Sequence, residues 1–98
     1  MISINMKEFL NLKEKKNIID IRSIEKYNNR HIPEAINIPS EKLILNPDKY
    51  LNKETKYYLY CQHGKTSYSV CKILSNMGYK TININGGYES FIMNTRNQ

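Results

Sequence analysis

The sequence contains no run of apolar residues long enough to cross a lipid bilayer. It also does not open with a basic region followed by an apolar stretch, so we expect no signal peptide and a cytoplasmic location. Only two cysteines are present, Cys61 and Cys71, and two cysteines in a protein that is not secreted are more often reduced than paired. The 98 residues, 1–98, are expected to form a single domain with one modest core.

The chain also lacks a dense basic stripe, although its formal net charge is +6. The lysines are spread along the chain and mixed with glutamates, as in "LKEKKN" and "NKETK". Such mixing is typical of a solvated surface, so we expect neither a nucleic-acid partner nor a membrane partner. The positive balance instead favours the approach of a small anionic substrate.

Short apolar runs alternate with amphipathic segments throughout the chain. The runs predicted to be strands are 2–5, 17–21, 35–39, 56–61 and 80–84. The segments predicted to be helices are 6–15, 24–28, 40–45, 66–76 and 88–94. This alternation predicts an α/β fold whose mainly parallel central sheet is flanked by helices on both faces.

Cys61 lies where the fourth predicted strand ends, and ligands of parallel α/β sheets bind beyond the carboxyl ends of the strands. A polar loop joins this cysteine to the next helix and consists of Gln62, His63, Gly64, Lys65, Thr66 and Ser67. Unpaired amides and the helix dipole make such a loop a cradle for anions. A thiol at its base is expected to be a reactive thiolate, with Lys65 and protonated His63 adding positive charge at the rim.

Several chemistries use a cysteine in such a loop. Cysteine phosphatases carry an arginine six residues after the cysteine, but this chain has Ser67 there and no arginine in 62–67. A zinc site from Cys61, His63 and Cys71 does not fit the usual ligand spacing, so no metal is expected. Burial of Cys61 as a packed core thiol is the structural alternative to catalysis. Cys71 is predicted to be a buried structural thiol, with a resolving thiol as its alternative.

Two long segments carry a family resemblance. "IIDIRSIEKYNNRHIPEAINIP" (18–39) resembles the first signature of the rhodanese family of single-domain sulfurtransferases. "YCQHGKTSYSVCKILSNMGYKTININGG" (60–87) resembles the family's active loop, the helix after it, the last strand and a closing Gly-Gly pair. The resemblance covers almost the whole chain and implies a rhodanese-like domain that needs no cofactor.

The resemblance also implies an activity. Cys61 would take the outer sulfur of thiosulfate or a similar small anionic donor as a persulfide, held by the amides of residues 62–67. Cyanide, a small thiol or a protein thiol would then accept the sulfur. The alternative is a sulfur-carrier or protein-interaction module with little thiosulfate turnover.

The resemblance assigns supporting roles and shows some departures. It implies that Asp20 and Arg22 brace the active loop through hydrogen bonds and an ion pair, with Glu25 as a further partner. Two positions that are usually glycine in the family are Arg30 and Glu34 in this chain. His31, which lies between them, is predicted to be structural. The aromatic residue expected after Gly-Gly is Phe91.

Overall fold

Five short strands form one parallel sheet in the computed structural model, which describes residues 2–96. The strands are β1 (Ile2–Ile4), β2 (Ile18–Asp20), β3 (Ile36–Asn37), β4 (Lys56–Tyr60) and β5 (Lys80–Ile84). Their order across the sheet is β1-β5-β4-β2-β3, and every neighbouring pair is parallel. The carboxyl ends of all five strands therefore meet at one edge, where Cys61 follows β4 directly.

Five α-helices connect or follow the strands. They are α1 (Met6–Asn11), α2 (Ile24–Asn29), α3 (Ser40–Leu45), α4 (Lys65–Asn76) and α5 (Gly87–Thr95). A short 3-10 helix, Pro47–Lys49, follows α3. No helix within residues 2–96 is long and apolar enough to span a membrane.

Strand β4 shows how the sheet separates two cores. Its residues point alternately to opposite faces, because side chains of a strand repeat every two residues. Tyr57, Leu59 and Cys61 contribute to the core under α3 and α4. Tyr58 and Tyr60 contribute to the core under α1 and α5. Helices therefore cover both faces, and the predicted α/β class with a parallel sheet is confirmed.

Helix α1 is shorter than predicted. The sequence predicts a helix over 6–15, but α1 ends at Asn11. The ammonium group of Lys16 donates hydrogen bonds to the carbonyl oxygens of Phe9 and Leu12, at 3.4 and 3.1 Å, and thereby satisfies the end of the helix. Lys13, Glu14 and Lys15 are exposed, so a longer helix would gain no burial to offset its ordering.

The remaining boundaries lie within two residues of the predictions, which is the usual uncertainty of helix and strand ends, and those of α3 and β5 match at both ends. Strand β3 retains only Ile36–Asn37 of the predicted 35–39, and β2 retains Ile18–Asp20 of 17–21. Helix α4 begins at Lys65, one residue before the predicted start, because Gly64 already occupies the N-cap position. These shifts do not move Cys61 from the carboxyl end of β4.

Glu34 lies in the turn before β3 and has a φ of 74°. Left-handed backbone of this kind is unfavourable for residues with a Cβ atom and favours glycine. The amide of Ala35 donates to the carbonyl of Ile32 at 3.0 Å, which closes the turn around Glu34. Arg30, in contrast, has an extended backbone with a φ of −159°, which any residue can adopt. The backbone at position 34 therefore favours glycine, as in the family pattern, whereas the backbone at position 30 does not.

Candidate active site

The sulfur of Cys61 lies inside the loop that follows β4. The amides of Gly64 and Ser67 donate to Sγ at 3.1 and 3.3 Å, and the hydroxyl oxygen of Ser67 also lies 3.3 Å from Sγ. The Cys61 side chain is buried, so only a small part of it meets solvent. Amide donors directed at one sulfur stabilise negative charge there, and the thiolate is the nucleophilic form.

The local sequence produces this loop because Gly64 has a φ of 100° at the N-cap of α4. That conformation turns the amides inward and directs the first turn of the 12-residue helix α4 toward the cysteine. The side chains of Lys65 and Thr66 are exposed at the rim, whereas Ser67 is buried behind the sulfur. Of the six predicted loop residues, the structure thus brings Gly64 and Ser67 into contact with the Cys61 sulfur.

Helix α5 fixes the opposite side of the loop. The amide of Tyr88 donates to the carbonyl of Cys61 at 2.8 Å, and the amide of Glu89 donates to the carbonyl of Gln62 at 3.1 Å. The loop carbonyls therefore point to the N-terminus of α5, away from the sulfur. The carbonyl groups of Cys61 and Gln62 accept hydrogen bonds from α5, so the loop can direct its amides at an anion without leaving these carbonyls unpaired.

The pair Gly86-Gly87 at the start of α5 allows this contact. A Cβ atom on Gly87 would lie 2.3 Å from the carbonyl oxygen of Cys61, and Gly87 has a φ of 59°. A Cβ atom on Gly64 would lie 2.7 Å from the amide nitrogen of Gly86. The two turns approach each other so closely that a side chain at either position would separate them.

A polar chain behind the sulfur was not anticipated from the sequence. The hydroxyl of Ser67 donates to Oδ1 of Asn83 at 2.5 Å, and Nδ2 of Asn83 donates to Oδ1 of Asn85 at 3.0 Å. Ser67 and Asn83 are fully buried. The sequence signal was an asparagine inside the apolar run "KTINI", because a buried amide requires hydrogen-bond partners.

Asp20 and Arg22 form the predicted ion pair at the end of β2. The guanidinium Nη2 of Arg22 donates to Oδ2 of Asp20 at 2.7 Å, and Nη1 donates to Oε1 of Gln62 at 3.0 Å. Arg22 therefore holds the first residue of the loop after the cysteine. Glu25 is exposed, and among residues 2–96 it forms no ion pair with Arg22.

Tyr60 completes this network. Its hydroxyl donates to Oδ2 of Asp20 at 2.6 Å. Burial of the phenol, followed by its hydrogen bond to Asp20, raises the pKa of Tyr60 far above its ordinary value. Burial lowers the pKa of Arg22, but the hydrogen bonds and the charge of Asp20 outweigh it, and the net direction is upward. Arg22 therefore stays positively charged, and its bonds to Asp20 and Gln62 hold it next to the loop.

His63 lies at the rim with an acidic neighbour. Its Nδ1 is 2.8 Å from a carboxylate oxygen of Glu89, and both side chains are exposed. The positive charge that the sequence assigns to protonated His63 therefore faces a negative charge on α5. Lys65, at the start of α4, has no such ion pair within the described residues.

The other singled-out residues lie outside the loop. Nδ1 of His31 is 2.9 Å from the carbonyl oxygen of Tyr27, and the two rings stack with centroids 3.8 Å apart, which is a structural arrangement. Cys71 is a free, fully buried thiol in α4, and burial raises its pKa to about 12. A thiol of this kind stays protonated and unreactive.

The aromatic side chains of α5 lie beside the Arg22 network. Phe91 is partly buried and stacks on Tyr88, with centroids 5.8 Å apart. Tyr88 also lies against Arg22, whose Cζ is 4.3 Å from the ring centroid. Tyr88 is thus the aromatic residue of α5 that contacts Arg22, and Phe91 packs against Tyr88. Within residues 2–96, no group of three or more His, Cys, Asp or Glu side chains could hold a metal ion.

Comparisons with known proteins agree with this geometry. Residues 5–94 match the family described as "Rhodanese-like domain". YtwF of Bacillus subtilis, which bears a provisional name as a sulfurtransferase, is 34% identical over 84 residues, covering 84% of this chain and 79% of YtwF. The thiosulfate sulfurtransferase PspE of Escherichia coli is 36% identical over 80 residues, covering 76% of this chain and 73% of PspE.

A solved structure shows the same fold. SSP1007 of Staphylococcus saprophyticus superposes with a TM-score of 0.82 at 31% identity, covering 93% of each chain. The family match over residues 5–94 includes both segments that carry the resemblance, 18–39 and 60–87. The protein belongs to the family of rhodanese-like domains, whose relatives are named as sulfurtransferases.

Proposed function

We propose that the protein transfers a sulfane sulfur from thiosulfate, or from a similar small anionic donor, through a persulfide on Cys61. The observation that carries this proposal is the position of Sγ, which accepts hydrogen bonds from the amides of Gly64 and Ser67 inside a loop at a helix N-terminus. The same amides can stabilise a second sulfur atom and the negative charge that it carries. The name of the relative PspE supports thiosulfate as the donor.

The first half-reaction is a displacement at sulfur. The Cys61 thiolate attacks the outer sulfur of thiosulfate, the new S–S bond forms, and the S–S bond of the donor breaks. Sulfite leaves with the electron pair, and the persulfide retains one negative charge. No proton has to move in this step, which agrees with the absence of an acid–base residue in hydrogen-bond contact with Sγ within residues 2–96.

The second half-reaction regenerates the free Cys61 thiolate. A nucleophile such as cyanide, a small thiol or a protein thiol attacks the outer sulfur of the persulfide, and the Cys61 thiolate leaves. The scheme needs no cofactor. Both cysteines are free thiols, which suits a reducing compartment, so we place the protein in the cytoplasm.

Phosphoryl transfer is the weaker alternative for the same loop. Ser67 is buried where a phosphatase would carry its phosphate-binding arginine. Arg22 contacts the loop, but its guanidinium is already paired with Asp20 and bonded to the side chain of Gln62, so it is not free to bind a phosphate group. The loop therefore offers the amides of Gly64 and Ser67 to the sulfur, and it has no free arginine to grip a phosphoryl group.

Intact mass spectrometry tests the proposal directly. The wild type, Cys61→Ser and Cys71→Ser are each incubated with thiosulfate and then with cyanide. We expect the wild type and Cys71→Ser to gain one sulfur and to lose it to cyanide, and Cys61→Ser to gain none. A sulfur gained equally by Cys61→Ser would contradict the proposal.

Turnover separates the enzyme from a sulfur carrier. Sulfite and thiocyanate are measured over many equivalents of thiosulfate and cyanide. Continuous formation of both products supports the transferase. Loading of one sulfur without further turnover would instead support a carrier module whose acceptor is a protein.

A further inference from the structure

A depression of about 300 Å³ adjoins the active loop on the side of Gln62 and His63. Besides these two loop residues, its wall contains Arg22, Lys26, Arg30 and Tyr88. The depression is not part of the amide cradle, because its wall contains no residue of 64–67. It is large enough for the body of a small molecule whose reactive end lies at the loop.

The floor of the depression is held rigidly. The guanidinium of Arg22 lies on the ring of Tyr88, with Cζ 4.3 Å from the centroid. Its nitrogen atoms are bonded to Asp20 and to Gln62. The charge of Arg22 is therefore already balanced, and its role in the depression is structural.

Lys26 and Arg30 supply positive charge that no carboxylate among the described residues balances. Both side chains are exposed, and neither forms an ion pair within the described residues. They are four residues apart on α2 and its C-cap, a spacing at which like charges on a helix repel. The carbonyl of Arg30 accepts from Nη2 of Arg22 at 2.6 Å, which fixes the backbone beside the depression.

The wall also lacks a carboxylate. Three other depressions on the described surface, none of which contains a residue of the loop, each include at least one glutamate: Glu25 and Glu41, Glu34, and Glu14. Glu89, the carboxylate at the rim of the loop, is bound to His63 and is not part of this wall. The depression next to Gln62 therefore combines two unpaired cations with no acidic residue.

We infer that this depression binds the carboxylates of a small dianionic thiol that accepts the sulfur from Cys61. The inference rests on the proposed sulfur transfer and names its acceptor class. The charge of a small donor is met by the loop amides, whereas the acceptor requires a separate site next to the outer sulfur. Lys26 and Arg30 provide one cation for each of two carboxylates.

The step balances without a further reactant. The acceptor thiolate attacks the outer sulfur of the Cys61 persulfide, and a sulfur–sulfur bond forms between them. The bond from that sulfur to Sγ breaks, and the Cys61 thiolate leaves with the electron pair. The acceptor departs as a persulfide with one more sulfur atom.

Matched acceptors and matched variants test the inference. Protein loaded with thiosulfate is reacted with mercaptosuccinate, a dianionic thiol, and with 2-mercaptoethanol, a neutral one, at low salt. We compare the wild type with Lys26→Gln/Arg30→Gln. The control is Lys56→Gln/Lys80→Gln, which removes the same charge from exposed positions at the amino ends of β4 and β5.

The ratio of the two rate constants, mercaptosuccinate over mercaptoethanol, is the readout. We expect Lys26→Gln/Arg30→Gln to lower this ratio about tenfold or more, because it loses two charge-assisted contacts. The control should keep the ratio of the wild type. Equal ratios in all three proteins would overturn the inference and leave the proposed function intact.

A binding assay separates the two possible failures. S-methyl mercaptosuccinate has the same carboxylates but no thiol, and its protection of Cys61 from iodoacetamide is measured in a Cys71→Ser background. Protection lost only in Lys26→Gln/Arg30→Gln supports the depression even if thiosulfate does not load Cys61. Lack of protection in the Cys71→Ser protein with Lys26 and Arg30 intact would overturn the inference. Protection by polyglutamate alone would also overturn it, in favour of an acidic protein segment.

Discussion

The hydroxyl of Tyr60 donates a hydrogen bond to Oδ2 of Asp20 at 2.6 Å, and both side chains are fully buried. The same hydroxyl accepts a hydrogen bond from the amide of Ile32 at 3.0 Å. Tyr60 precedes Cys61, and Asp20 holds Arg22, which in turn holds Gln62. One buried phenol therefore connects the strand before the cysteine with the residues that support the loop after it.

Tyr60→Phe is expected to lower the free energy of unfolding by about 1–3 kcal/mol, because the amide of Ile32 and the carboxylate of Asp20 each lose a buried partner. Tyr68→Phe is the control, since the Tyr68 side chain is exposed on α4. Urea unfolding followed by circular dichroism measures both. An equal, small effect of the two substitutions would show that the network contributes little to stability.

Gly87→Ala is expected to slow sulfur loading of Cys61 by about a hundredfold, because the added Cβ would displace the backbone of Cys61. That Cβ would lie 2.3 Å from the Cys61 carbonyl oxygen. Gly78→Ala is the matched control: Gly78 also has a positive φ of 99°, but its nearest neighbours are side-chain atoms of Lys53 at 3.6 Å or more. It should lower stability and leave loading unchanged. Sulfite release in a single turnover is the measurement.

Glu34→Gly is expected to raise the free energy of unfolding by up to about 1 kcal/mol, since the left-handed backbone at φ 74° costs a residue with a side chain more than it costs glycine. Arg30→Gly should lower it by about 0.5–1 kcal/mol, because an extended backbone gives glycine no such advantage. Thermal unfolding of the two variants gives the comparison. A gain at both positions would indicate that backbone strain at Glu34 is not the cause.

The unfolding free energy is expected to fall as the pH rises above about 9, and Cys71 should cause part of this fall. Burial raises the pKa of Cys71 to about 12 from an ordinary 9.0, so in this window the unfolded thiol loses its proton while the folded thiol keeps it. The unfolded state then binds fewer protons, and stability decreases with pH. Between roughly pH 8.5 and 10.5 this contribution is about 2 kcal/mol.

Cys71→Ala removes this contribution and is compared with the wild type by urea unfolding in reducing buffer at both pH values. The variant should lose less stability than the wild type across the interval, whatever its stability at the lower pH. Parallel losses in the two proteins would show that the thiol is not protected from ionisation by burial.

Local features of the sequence were sufficient to predict most of the fold. Asn5 and Ser23 accept hydrogen bonds at the starts of α1 and α2, as residues of these types commonly do, and the run 56–61 predicted to be a strand corresponds to β4. The predicted length of α1 was wrong. The helix ends early because, in the folded chain, the Lys16 side chain bonds to the carbonyl oxygens of Phe9 and Leu12.

The sequence by itself determined the parallel α/β order and the place of Cys61 at a strand end, since both follow from periodicity and from residues adjacent in the chain. Only the tertiary structure decided that Asn83 would hold Ser67, that α5 would bind the loop carbonyls, and that Lys26 and Arg30 would border the loop. Those contacts join residues between 16 and about 40 positions apart. They exist because packing of helices on both sheet faces brings distant polar groups to one edge, which no local pattern encodes.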